Sequence, residues 1–140
     1  TKEKKDKADK KNLNWNDKSW LRKEAQKWVN KYIRLRDKNE PCISCRYNKD
    51  DRQYHAGHYR PSGANPQLRY EELNIHKQCS ICKNYLSGNL VPYRKNLIKK
   101  IGLEKVEWLE SFNETKKYTV QDYQHLIEKY KSKCKDLENL

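Results

Sequence analysis

The sequence predicts an α+β fold in which a short, metal-clamped pair of strands is flanked by N- and C-terminal helices. Three observations predict it. Two Cys-x-x-Cys turns, Cys42/Cys45 and Cys79/Cys82, stand far enough apart to enclose a small structure. The stretch between them holds two short strand candidates and a Pro/Gly-rich loop. On either side, apolar residues recur at helical spacing.

The elements follow in order. Residues 1–16 read as a lysine-rich, low-complexity arm, and 17–140 as one domain. Thr1 in place of Met reads as a trimmed chain with an N-terminal portion missing. Ser19 offers an N-cap for an amphipathic helix running to about Lys38, its stripe formed by Leu21, Ala25, Trp28, Val29, Tyr32, Ile33 and Leu35. Strand candidates lie near Gln53–His58 and Asn74–Gln78, with the loop from Tyr59 to about Tyr70 between them. Pro92 suits an early helical position, Leu97, Ile98 and Ile101 share a face, and Gly102 reads as the residue that closes that helix. Leu103, Val106, Leu109 and Phe112 make a further stripe. Thr119 with Asp122 resembles a capping box, opening a helix with Tyr123, Leu126, Ile127, Tyr130 and Leu137.

The composition narrows the partners. The chain has 140 residues, 34% of them apolar, and a formal net charge of +13. So polar a short chain needs a staple, such as a metal or a second subunit. Its charge attracts polyanions, and phosphate backbones are the commonest. No long apolar run, signal peptide or lipidation motif is visible, so a soluble intracellular protein with no membrane partner is expected.

Zinc prefers four soft ligands in a tetrahedron, and each Cys-x-x-Cys turn presents two thiolates on one side of a tight loop. Cys42, Cys45, Cys79 and Cys82 are therefore expected to hold a structural zinc, because four thiolates leave no open position for water. Cys134 stands alone in the last helix and reads as a packed thiol.

Three of the four histidines, His55, His58 and His76, fall between the cysteine pairs. A strand ending in His, a loop, an Asn, then a Cys-x-x-Cys that opens a helix resembles the ββα-metal core of HNH nucleases. The segments PCISC, AGHYRPSG, LRYEELNIHKQC and SGNLVPYR resemble those of the NinG (Rap) recombination endonucleases of lambdoid phages, and the likeness extends over about Ser19–Leu140. It implies a structure-specific endonuclease acting on branched recombination intermediates such as Holliday junctions and D-loops, in the host bacterial cytoplasm. It further implies His58 as general base, Asn74 orienting His58 or bracing the loop, and one magnesium or manganese ion at the scissile phosphate.

Two positions depart from the pattern. Many HNH proteins carry Asp or His directly before the catalytic His, where this chain has Gly57. His55 offers a substitute metal ligand only if a bulge at Gly57 turns it toward His58, since positions 55 and 58 otherwise face opposite ways. A metal-binding Asn or His usually follows the last cysteine, where this chain has Lys83. Asn84 or Asn89 could replace it, and Asn89 is favoured because it lies in the SGN block.

Arg60, Arg69, Lys77, Lys83, Arg94, Lys95, Lys99 and Lys100 are expected to hold DNA phosphates, with Tyr59, Tyr70, Tyr85 and Tyr93 available to stack. Resolving a four-way junction needs two symmetric cuts, so a homodimer is expected, held by the apolar stripes of the helices from Ser19 to Lys38 and from about Val120 to Leu137. The competing reading is a zinc module that binds DNA and has lost its catalytic metal.

Overall fold

The computed structural model describes residues 14–111 and 114–140. Helix α1 spans Lys18–Arg36 and is capped by Asp17, whose Oδ1 accepts the Trp20 amide at 3.1 Å. The cap falls two residues before Ser19 because the carboxylate, a strong acceptor, reaches the orphan amide first. Leu21, Ala25, Val29 and Ile33 recur every fourth residue and form the buried stripe. The chain is already ordered before the cap: Trp15 packs on the core and its carbonyl accepts a hydrogen bond from Gln124, so the expected arm does not reach residue 16. Most of that arm, residues 1–13, lies outside the described residues, as does Phe112.

A two-stranded antiparallel hairpin follows, β1 (Tyr54–His58) and β2 (Ile75–Cys79). Its register is continuous, with His55 opposite Gln78, Gly57 opposite His76 and His58 opposite Ile75. After β2, a five-residue π-helical turn (Ile81–Tyr85) leads to α2 (Leu90–Ile101), α3 (Leu103–Ser111) and α4 (Val120–Glu138). Gly102 ends α2 with φ 93°, a conformation that favours glycine. The capping box of α4 is complete: Asp122 N donates to Thr119 Oγ1 at 3.0 Å and Thr119 N to Asp122 Oδ2 at 2.9 Å.

The hairpin stands between two cores. Ala56 and Ile75 join the stripes of α1 and α4, where Leu21, Ala25, Val29 and Ile33 meet Tyr123, Ile127 and Tyr130. The second core gathers Ile43, Tyr59, Leu68, Tyr93, Leu97 and Val106. It touches the hairpin through Tyr93, whose hydroxyl donates to the Gly57 carbonyl at 2.7 Å. Cys134 is a packed thiol, as its isolation in the sequence predicts, with Sγ 3.8 Å from the Trp28 carbonyl. The buried residues of the α1 and α4 stripes pack on each other inside one chain, so they are not available for the dimer contact that the sequence suggested, while Trp28, Tyr32 and Leu126 stay partly exposed. No described helix is long and apolar enough to cross a membrane.

A buried polar knot joins the two halves. Asp37, 1% exposed, closes α1 and accepts Arg36 Nε at 2.9 Å, Lys100 Nζ at 3.0 Å and the Lys77 amide at 3.1 Å. His76 donates through Nε2 to the Leu73 carbonyl at 2.8 Å, which leaves Nδ1 to accept from Lys100 at 2.9 Å and Arg36 at 3.2 Å. His76 is thus a neutral structural ring.

Candidate functional site

The cysteine turns are built from opposite sides of the hairpin. Cys42 and Cys45 sit in a tight turn closed by Arg46 N to the Cys42 carbonyl at 2.9 Å, with Arg46 in the left-handed region at φ 67°. Cys79 is the last residue of β2, and Cys82 lies in the π-helical turn. The four Sγ atoms lie within 4.8 Å of one another, and all four cysteines are free. Cys45 and Cys79 sulfurs are 3.7 Å apart. That is the edge of a tetrahedron with Zn–S bonds of about 2.3 Å, roughly 3.8 Å, and far longer than a disulfide. The cluster can therefore hold a metal such as zinc. Burial raises the Cys79 thiol, but the Cys82 amide and hydrogen bonds from Cys82, Cys45 and Cys42 outweigh it and bring it down to about 7.

Two side chains that the sequence reading did not assign to this cluster support it. Arg52 donates toward Cys79 Sγ at 3.8 Å and Cys45 Sγ at 3.9 Å while its guanidinium lies 3.6 Å from the centre of the Tyr47 ring. Asn89, expected at a catalytic metal, instead directs Nδ2 to Cys82 Sγ at 3.5 Å. Its left-handed backbone, φ 42°, turns the amide back toward the cysteines.

His58 ends β1 and lines a cleft of about 340 Å³ together with Pro61, Gly63, Gln78, Lys83 and Leu90. Its Nε2 lies 2.8 Å from the Arg69 carbonyl. A carbonyl only accepts, so Nε2 carries the proton and Nδ1 keeps the lone pair. Burial depresses the His58 pKa, the Lys83 and Arg69 charges depress it further, and the bond to the Arg69 carbonyl opposes them. The ring is neutral at pH 7.

Asn74 is fully buried and its side-chain hydrogen bonds brace the loop rather than His58. Its Oδ1 accepts the Arg60 amide at 2.8 Å, and Nδ2 donates to the Arg60 and Leu68 carbonyls at 3.0 and 3.2 Å. His55 does not converge on His58. The register has no bulge, so positions 55 and 58 face opposite ways. Gly57 has a different purpose: a Cβ there would stand 2.3 Å from Gln78 Oε1 and 2.9 Å from Gln78 Cβ. Gln78 is held in place by donating Nε2 to Ser44 Oγ at 2.9 Å and to the Gly88 carbonyl at 2.6 Å. A metal-binding side chain at 57 is therefore sterically closed. Among the described residues, the four cysteines are the only group of three or more His, Cys, Asp or Glu placed to hold a metal.

The basic residues divide. Lys77 is buried, donates Nζ to Asn48 Oδ1 at 3.0 Å and lies 4.4 Å from the Tyr54 ring centre, so it is a structural cation. Lys100 belongs to the polar knot. Both were expected at DNA, but strand parity turns Lys77 inward, and Lys100, part exposed, is engaged by Asp37 and His76. Arg94 forms a two-pronged pair with Glu110, at 2.8 and 3.0 Å. Arg69 Nε donates to Gln26 Oε1 at 3.3 Å, and Arg60 is partly buried. Lys83, Lys95 and Lys99 are exposed. Of the four tyrosines, Tyr59, Tyr70 and Tyr93 are buried and Tyr85 projects outward.

Fold and site together define a small, basic α+β protein with a four-cysteine cluster able to hold a metal. The chain belongs to the NinG family: the family model described as Bacteriophage Lambda NinG protein matches residues 1–139. It is 49% identical over 120 residues to Protein ninG of Escherichia phage 933W, covering 86% of this chain and 59% of that one. Over the same length it is 48% identical to Protein ninG of Escherichia phage lambda and 46% identical to that of Salmonella phage P22, in each case covering 86% of this chain and 58% of the relative. The aligned part thus spans somewhat over half the length of these relatives. No solved structure matches the chain significantly.

Proposed function

We propose that this chain is the core of a structure-specific DNA endonuclease that hydrolyses phosphodiester bonds in branched recombination intermediates, such as four-way junctions and D-loops. The observation that carries the reading is the hydrogen bond from His58 Nε2 to the Arg69 carbonyl at 2.8 Å. It leaves Nδ1 as a neutral base at the rim of an open cleft, in a chain of net charge +13. The strand–loop–strand arrangement ending in His58 and Cys79 supports a ββα-metal likeness.

In this reaction Nδ1 takes a proton from water, the water oxygen bonds to phosphorus, and the bond to the 3′ oxygen breaks. The leaving oxygen takes its proton from solvent. Lys83 in the same cleft supplies positive charge beside the phosphate. The resemblance to HNH nucleases also implies a catalytic magnesium or manganese ion. The described residues do not fit it well: His55 faces away, position 57 is closed by Gln78, and Lys83 has no lone pair to offer while protonated.

Those same observations favour a second reading, a zinc-containing module that binds DNA without cutting it. One experiment separates them. Labelled linear, forked and four-way DNA is incubated with the protein and magnesium, manganese or neither. Cleavage of branched DNA that falls by about 10²–10⁴-fold in His58→Ala, with binding retained, supports the nuclease. Binding without cleavage under every metal supports the module. Two symmetric cuts would require two chains on one junction, and light scattering of the DNA complex tests for the second copy.

A further inference from the structure

The segment that runs from the last cysteine turn into α2 carries four of the eight exposed large apolar residues among the described residues. Tyr85 is 82% exposed, Leu86 51%, Leu90 42% and Val91 85%. They fall within seven consecutive positions, with Ile81 one turn before them, whereas Leu103, Trp108 and Leu140 stand apart. Scattered exposure is ordinary, but a contiguous patch calls for a partner. The backbone is bent to present it. Ser87, Gly88 and Asn89 are successive left-handed residues at φ 49°, 88° and 42°, and two of them bear side chains for which this region is costly.

The surroundings identify the partner's chemistry. Leu90 lines the His58 cleft, so the apolar ridge begins where the proposed base lies. Helical spacing sets Lys95 one turn beyond Val91, and Arg94, already paired with Glu110, one turn beyond Leu90. Lys83 flanks the other side, in the π-helical turn. An apolar ridge bordered by cations suits a surface that offers flat apolar faces and phosphates together. A continuous duplex hides its base faces, but a branch point exposes them.

We infer that Tyr85, Leu86 and Val91 form a wedge that stacks on the unpaired or terminal base faces at a DNA branch point, and so set the backbone in the His58 cleft next to the branch. Apolar side chains open base steps in DNA-bending proteins, and aromatic stacking on a base is insensitive to sequence. The inference rests on the DNA reading above, but its readout is binding, not cleavage.

The test uses the whole chain with His58→Ala added, so that no substrate is consumed. Anisotropy measures binding to linear and three-way DNA of equal length, and 2-aminopurine placed at the branch reports stacking. Tyr85→Ser with Val91→Ser is expected to weaken branched binding by about tenfold while linear binding stays within about twofold, and to abolish the 2-aminopurine response. Tyr85→Trp should restore both. Circular dichroism and zinc content confirm that each variant is folded. A double variant that keeps both the branch preference and the 2-aminopurine response overturns the wedge and leaves the nuclease reading intact. So does a variant whose only change is conversion of a dimer to a monomer in sedimentation, which would make a second copy the ridge's occupant. If the unaltered chain binds neither DNA, the DNA reading itself falls.

Discussion

Lys100 Nζ lies 3.0 Å from Asp37 Oδ1, so the last turn of α2 is tied directly to the residue that closes α1. Arg36 and His76 complete the knot, and with it the two cores are held at one angle. Burial by itself would raise the Asp37 carboxyl, but Arg36 and then Lys100 overcome it and hold it at about 2. Burial, followed by the charges of Lys100 and Arg36, lowers His76 to about 3.

Both folded pKa values lie below their unfolded ones, so the unfolded chain binds more protons in acid. The stability linked to His76 is complete above about pH 6.5 and drains as pH falls toward 3, and that of Asp37 drains between about 3.8 and 2. Denaturant unfolding at stepped pH should show stability declining from pH 6.5 downward. Asp37→Asn should lower stability at pH 7 by about 3–5 kcal/mol, because it strands Lys100 and Arg36. A loss under 1 kcal/mol would mean that the knot is not a tie.

Metal analysis of native protein should give one zinc per chain, and a strong chelator should lower the melting temperature. Cys79→Ser removes a ligand at the junction of β2 and the π-helical turn, so it should release the zinc and unfold the hairpin. A chain that stays fully folded and metal-free would refute the centre.

Asn89→Ala should keep zinc but bind it about 10-fold more weakly in competition with a chromogenic chelator, since the amide bond to Cys82 Sγ steadies the ligand. Unchanged affinity would reduce Asn89 to a turn residue.

Gly57→Ala should cost about 1–3 kcal/mol, because the new Cβ meets Gln78. Adding Gln78→Ala makes room, so the double variant should be less destabilised than the two single losses summed. Strict additivity would show that the contact is not the cause.

If His58 is the base, cleavage should fall in acid with a midpoint below the ordinary histidine value, because burial and the Lys83 charge disfavour its protonated form. Lys83→Gln removes one of those charges and should move the acid limb upward in pH. An acid limb that stays put would place Lys83 out of electrostatic reach of His58.

The sequence by itself determined whatever depends on spacing. The four cysteines could be paired because Cys-x-x-Cys is a local turn, and the helices because their apolar residues repeat on one face. The α4 capping box and the strand ending in His58 were legible for the same reason. Charge composition set the expectation of a polyanionic partner, and the matching blocks pointed to the family. What the sequence could not show was direction. Lys77 and Lys100 look like the other cations in one dimension, but register and helix phase bury one against Tyr54 and lock the other to Asp37. Gly57 looks like a bulge or a lost ligand, and only the packing of Gln78 reveals a steric limit. The stripes of α1 and α4 could have joined two chains. They close within one because residues about a hundred positions apart pack directly against each other, and no local pattern encodes that distance.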